Sequence, residues 1–217
     1  MLIVNFIRPS AFMAILVFSA LIASAPRLSA ADAEISYTII SQEQAFEVRD
    51  YPAQIVAEIA MPGQRDDVLA AASTLLSSYV NGNNLSGKKL VSRKPVLHQL
   101  GSPLTSAIPK ATTKKSEFDQ IWSVSFSLTG NGPLEAYPKP GDRRIDVIEY
   151  PPRRMAALRF SGRWTDANLD QYRDELANLI KAKGLKPIGD PVFAFYDEFW
   201  QPYFWRHNEV LWEISTE

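Results

Sequence analysis

Polar and apolar residues alternate along Ile145-Asp146-Val147-Ile148-Glu149-Tyr150, the period-two pattern of a strand with one buried face. Phe46-Glu47-Val48-Arg49-Asp50-Tyr51 repeats that pattern earlier in the chain. After each strand the period changes to that of a helix. Val68, Leu69, Ala72, Leu75, Leu76 and Tyr79 mark one face of a first helix that closes near Asn81-Gly82. Leu169, Tyr172, Leu176, Leu179 and Ile180 mark a second, opened by Thr165 as a cap and ended by Gly184 and Pro187. Strand patterns follow at 89–99 and 191–196, and two more lie at 120–128 and 209–214. In 120–128, Trp122, Val124 and Phe126 fall on one side.

These two halves are copies. Phe46 to Pro52 returns 99 residues later as Ile145 to Pro151, and without a gap Ala57 falls on Ala156, Ile59 on Leu158, Met61 on Phe160 and Gly63 on Gly162. Each copy reads strand, turn, strand, helix, strand, with Pro52 and Pro151 ending the first strand because proline cannot donate to a ladder. The expected architecture is α+β: a curved antiparallel sheet with two helices packed on it, related by a pseudo-twofold axis.

The amino terminus has a different character. Met1 to Ser10 carries one charge, Arg8; Ala11 to Ala25 is uncharged and almost wholly apolar; small residues follow at Ser29, Ala30, Ala31 and Ala33. That order is the order of a secretory signal peptide, and the apolar run is shorter than the roughly 20 residues that span a bilayer. The reading is a signal peptide over 1–31 and one domain over 32–217, with cleavage after Ala31 or Ala33, or retention as an anchor, both open. It implies a periplasmic or secreted protein with no stable membrane span once the signal is removed.

The chain has no cysteine, so disulfides, thiolate metal sites, a cysteine nucleophile and c-type haem attachment are all excluded. Loss of Arg8 and Arg27 takes Lys+Arg from 23 to 21 against 24 acidic residues, a net charge of −3, which does not favour nucleic acid. Lys110, Lys114 and Lys115 lie in a Ser/Thr/Pro-rich stretch that reads as a solvated loop. No G-x-S-x-G, H-E-x-x-H, Walker A or G-x-G-x-x-G motif is present, and the expectation is a non-catalytic protein. Asp50 and Glu149 occupy equivalent places in the two copies, for structural reasons in this reading.

Five segments resemble the SOUL haem-binding family, in family order. Phe46-Glu47-Val48-Arg49-Asp50-Tyr51 is similar to its opening motif and Tyr79-Val80-Asn81-Gly82-Asn83-Asn84 to the segment after its first helix. Trp122 to Leu128 resembles its central strand, Arg159-Phe160-Ser161-Gly162 its turn before the second helix, and Arg206-His207-Asn208-Glu209-Val210 its C-terminal signature. The resemblance implies a distorted antiparallel β-barrel with two flanking helices and an apolar groove beside the first helix. It also implies a non-covalently bound haem or other tetrapyrrole there. Ser92-Arg93 and Glu198-Phe199 depart from the family pattern near the implied pocket.

A tetrapyrrole asks for an apolar slot, donors for its propionates and, in some proteins, an axial ligand. The aromatic run near the C-terminus offers the slot, with Phe199, Trp200, Tyr203, Phe204 and Trp205 in a loop. Leu69 and Leu76 of the first helix would line the groove, and Arg65 and Arg206 are candidates for propionates. His98 reads as a satisfied strand residue, which leaves His207 as the candidate metal ligand; Met61 and Met155 read as core. A second reading, from the similarity of this fold to multidrug effector-binding domains, is an apolar or cationic small-molecule binder with Glu209 as counter-charge.

Overall fold

A computed structural model describes residues 34–100, 120–130, 132–197 and 200–216. Candidate signal peptide 1–31, the lysines at 110–115, and Glu198 and Phe199 lie outside the described residues. Nine strands and two helices follow in order. The first half comprises β1 (Thr38–Glu43), β2 (Phe46–Tyr51), β3 (Gln54–Pro62), α1 (Arg65–Val80), β4 (Ser92–Leu100) and β5 (Ile121–Leu128). The second comprises β6 (Asp146–Tyr150), β7 (Arg153–Phe160), α2 (Asp166–Ala182), β8 (Pro187–Phe195) and β9 (Asn208–Ile214). Both helices fall on the predicted stripes. Thr165 caps α2 by accepting a hydrogen bond from the Asn168 backbone N–H at 3.4 Å. Asp66 and Asp67 sit in the first turn of α1, where the helix dipole favours acids.

All strands join one antiparallel sheet in the order β1-β2-β7-β9-β8-β4-β5-β3-β6. The expected barrel is therefore not closed: β1 and β6 remain edges. The sheet is nonetheless forced to curl. β2 is second from one edge and β3 second from the other, yet Pro52-Ala53 alone join them, a reach of at most about 11 Å from Tyr51 to Gln54. Pro151-Pro152 make the matching step from β6 to β7. Prolines in both steps lack the N–H that a closing ladder would use, so the ends approach without pairing.

Alternation along each strand divides the residues between two faces. On the convex face, Phe46, Val48, Leu158, Phe193 and Val210 pack against Leu169, Leu176 and Ile180 of α2. Ala57, Ile59, Val124 and Phe126 pack against Val68, Ala72, Leu76 and Tyr79 of α1. The concave face is mixed. Tyr51, Leu97, Met155, Val192, Tyr196 and Leu211 form an apolar floor that Ile35 covers, while buried Arg49, Gln54, Glu58, Gln99, Ser123, Ser125 and Glu209 lie on the same side. A buried polar group is costly unless bonded, so this inner face is where the fold departs from simple packing.

Candidate functional site

Gly63 and Gly162, the paired glycines of the two copies, both turn the chain from strand to helix with positive φ, +141° and +125°. A side chain at Gly162 would come within 2.9 Å of the Asn168 amide, so the position requires glycine. The Gly162 N–H donates to the Tyr203 carbonyl at 3.0 Å, which seats the turn of 3-10 helix Tyr203–Trp205 against the start of α2.

Trp164 organises this corner. Its indole N–H donates to Asn208 Oδ1 at 2.7 Å, its backbone carbonyl accepts from Arg65, and the Arg206 guanidinium lies 4.5 Å from its ring centre. Arg163 stacks 4.8 Å over Tyr203. Tyr203, Phe204 and Trp205 contact edge to face at 5.4 and 5.1 Å. Outward of this corner, Trp200, Tyr203, Phe204 and Trp205 expose 72, 44, 56 and 71% of their surface. Four large aromatics so exposed in six residues are a contiguous apolar patch of the kind that binds something.

The expected site residues thus separate. Arg65, Arg206, Trp200, Tyr203 and Phe204 are carried by this one corner of the fold. Leu69, one turn beyond Arg65, is half-buried against the α1 core. Leu76 is fully buried in that core and cannot reach a ligand. Arg65 is also buried; its Nε donates to Asp166 at 2.9 Å, tying the start of α1 to that of α2, while its Nη1 has no hydrogen-bond partner among the described residues. Arg163, exposed beside Tyr203, and Trp164 were not among the expected residues. Neither lies on a periodic stripe, and the strand-to-helix turn that brings them together is visible only in the fold.

His207 is committed elsewhere. Its Nε2 lies 3.0 Å from Glu209 Oε1, its ring stacks on Tyr196 at 4.0 Å and an interplanar angle of 1°, and its backbone N–H donates to Asp197. His98, in β4, is buried against Phe195, and burial, with the nearby Arg65 charge, drops its pKa to about 3. The residues present offer a tetrapyrrole apolar surface at Trp200, Phe204 and Trp205 with Arg163 and Arg206 near for its acids; Phe204 and Trp205 stand at 70°, so a flat ring stacks on one and meets the other at its edge. His98 is buried, and with Nε2 of His207 engaged by Glu209 only its Nδ1 is left as a histidine donor for the iron. Among the described residues no cluster of three His, Cys, Asp or Glu could hold a metal ion.

Glu209 does not stand as a vacant counter-charge. It accepts two hydrogen bonds from Arg49, at 2.7 and 2.8 Å, and one from Tyr196 at 2.9 Å. Burial pushes its carboxyl up, but the bonds from Arg49 and His207 and the Arg49 charge outweigh that and hold it at about 2. A second buried carboxylate, Glu58, accepts from the Tyr150 hydroxyl, and there burial wins, raising it to about 7. Asp50 is engaged by Arg154 through two bonds of 2.7 Å, whereas Glu149 lies opposite Ile55 at the other end of the sheet; they form no acid–base pair.

Two helices on one face of a curled, nine-stranded antiparallel sheet define an α+β domain with its aromatic corner at the start of α2. The sequence matches the family model described as SOUL heme-binding protein over residues 33–213, and the chain belongs to that family. The C-terminal domain of EcmrR is similar in structure, with a TM-score of 0.56 at 12% identity over 82% of this chain and 98% of that one. An uncharacterized conserved protein from Listeria innocua gives 0.59 at 9% identity, over 81% and 94%. A hydrolase from the same organism gives 0.54 at 9%, over 81% and 94%. At such identities the likeness is one of fold. A search of curated proteins gives no match.

Proposed function

We propose that the protein is an exported, non-catalytic tetrapyrrole binder. Haem or a related macrocycle stacks on the aromatic turn at 200–205, with its acid groups toward Arg163 and Arg206. One observation carries this reading: a member of the SOUL heme-binding protein family displays Trp200, Phe204 and Trp205 to solvent beside stacked guanidinium groups. The interaction is non-covalent and in this reading rests on the aromatic turn rather than on a histidine ligand, His207 being stacked on Tyr196 with Nε2 on Glu209. Export rests on the signal-like order of residues 1–31, with the domain following from 32. No helix among the described residues is long and apolar enough to cross a membrane.

Duplication of an ancestral strand-strand-helix-strand unit also belongs to this reading. If β2, β3, β4 and β5 are exchanged with β6, β7, β8 and β9, the strand order from β2 to β6 becomes its own reverse. A pseudo-twofold axis has that property, and it supports the origin of the paired glycines. The alternative of a cation bound by Glu209 is disfavoured, because the ligand would have to displace Arg49 from a bidentate pair. Titration of the purified protein with hemin tests the proposal. Saturable change in the Soret band that weakens in Trp200→Ala and Phe204→Ala supports it; no saturation, or no effect of either substitution, overturns it.

A further inference from the structure

The concave face of the sheet holds a second set of groups that the aromatic corner does not use. An open cleft of about 300 Å³, lined by Ile35, Gln54, Arg93 and Ser127 with Glu149 at its wall, leads inward. Ile35 and Gln54 also line an inner cavity of about 20 Å³, room for roughly one water. Its other walls include Tyr51, Leu97, Arg153 and Met155, and Arg153 extends into a third hollow beside Tyr150 and Ser125. The three spaces are neighbours: the first two share Ile35 and Gln54, and the last two share Leu97, Arg153 and Val192.

Several of the buried polar atoms around them have no hydrogen-bond partner among the described residues. Arg49 and Glu209 neutralise each other. Arg153 stacks 4.5 Å over Tyr150, but its Nη1 is buried with no hydrogen-bond partner among the described residues. Both amide atoms of Gln54 are buried and unpartnered as well. Burial presses the Arg153 pKa down, against the opposing pull of Tyr150, Glu213, Tyr51 and Glu58. Glu58, the carboxylate nearest in character, is itself displaced toward its neutral form and bonded to Tyr150. A carboxylate could accept from Arg153 Nη1 and Gln54 Nε2 beside the apolar floor of Tyr51, Leu97 and Met155. Above that floor sits Ile35, buried among Tyr51, Leu97 and Met155 and held by its N–H to the Lys94 carbonyl at 3.0 Å. Its side chain occupies the place that an aliphatic chain would take.

We propose that the concave face binds an aliphatic carboxylate. Its head is held by Arg153 and Gln54, and its chain displaces Ile35 and runs out along the open cleft. This site is separate from the aromatic corner and does not depend on tetrapyrrole binding there. Calorimetric titration with decanoate, and with decyltrimethylammonium as the cationic counterpart, tests it on the purified protein. Decanoate is expected to saturate one site, with affinity reduced about tenfold or more in Arg153→Gln, the scale of a lost charge-assisted bond. Gln54→Leu should weaken it too, Ile35→Ala should strengthen it, and hemin affinity should be unchanged in all three. Gln54→Leu carries the test if Arg153→Gln fails to show a cooperative thermal transition. Lack of decanoate binding in both wild type and Ile35→Ala, equal binding of the cation, or indifference to the substitutions overturns the proposal.

Discussion

Arg49 in β2 and Glu209 in β9 stand 160 residues apart and meet through two hydrogen bonds of 2.7 and 2.8 Å, both side chains almost fully buried. β7 lies between their strands, so the pair reaches across it on the concave face. Glu47, which accepts from Arg49 Nε at 2.7 Å, and Tyr51, Tyr196 and His207 close the remaining valences. Removing one partner strands a buried charge. Arg49→Met or Glu209→Leu alone should cost about 3–5 kcal/mol in urea unfolding, and the double replacement should recover much of it. Single losses below about 1 kcal/mol would show that the pair is hydrated or replaceable.

Glu58 gives the protein a pH dependence opposite in sign to that of Glu209. Burial raises the folded Glu58 pKa from 4.5 to about 7, so its neutral form is favoured by folding. That contribution is whole below the unfolded value and fades as pH rises through about 7; across the window it amounts to about 3 kcal/mol. For Glu209, held at about 2, the contribution is whole above 4.5 and is lost only as pH falls toward 2. Below about pH 6.5 the Glu58 decline is opposed by buried His98, whose depressed pKa makes stability rise with pH, so Glu58→Gln should make the urea midpoint rise more steeply with pH than it does in the wild type. An equal slope in the variant would refute the assignment.

Gly162 joins fold to site. Alanine there meets the Asn168 amide at 2.9 Å and must adopt φ of +125°. A loss of about 2 kcal/mol or more is expected, together with weaker hemin binding as the Tyr203 contact is displaced. Unchanged stability, read by thermal unfolding, would contradict this.

Leu76 separates packing from binding. It is fully buried beneath α1, so Leu76→Ala should cost about 2–5 kcal/mol while leaving hemin affinity unchanged. A specific loss of hemin binding in a stably folded variant would return Leu76 to the site.

Both helices, the Thr165 cap of α2 and eight of the nine strands leave a trace in the sequence, because each buries one face on a core that the pattern of residues reports. β1 leaves none. Thr38–Glu43 is exposed along its whole length, so neither face is selected for apolar residues. Missing the open edge had a different cause: whether a curled sheet closes depends on pairing at Pro52 and Pro151, which strand periodicity does not encode. In the site, the exposed aromatics were legible as a cluster in a loop. Leu76 was not separable from Leu69, since both lie on the same helical stripe and only depth in the core distinguishes them. Glu58 had a signal that went unread, a lone acid between Ala57 and Ile59 in an otherwise apolar strand. Arg153 had none; its isolation arises from residues that converge on it from four other strands.

Hemin titration of wild type, Trp200→Ala, Phe204→Ala and His207→Ala, followed in the Soret band, tests the central claim most directly. Saturable binding that weakens when either aromatic is removed and persists in His207→Ala is the predicted result. Binding abolished in His207→Ala while both aromatic variants bind as wild type would contradict it.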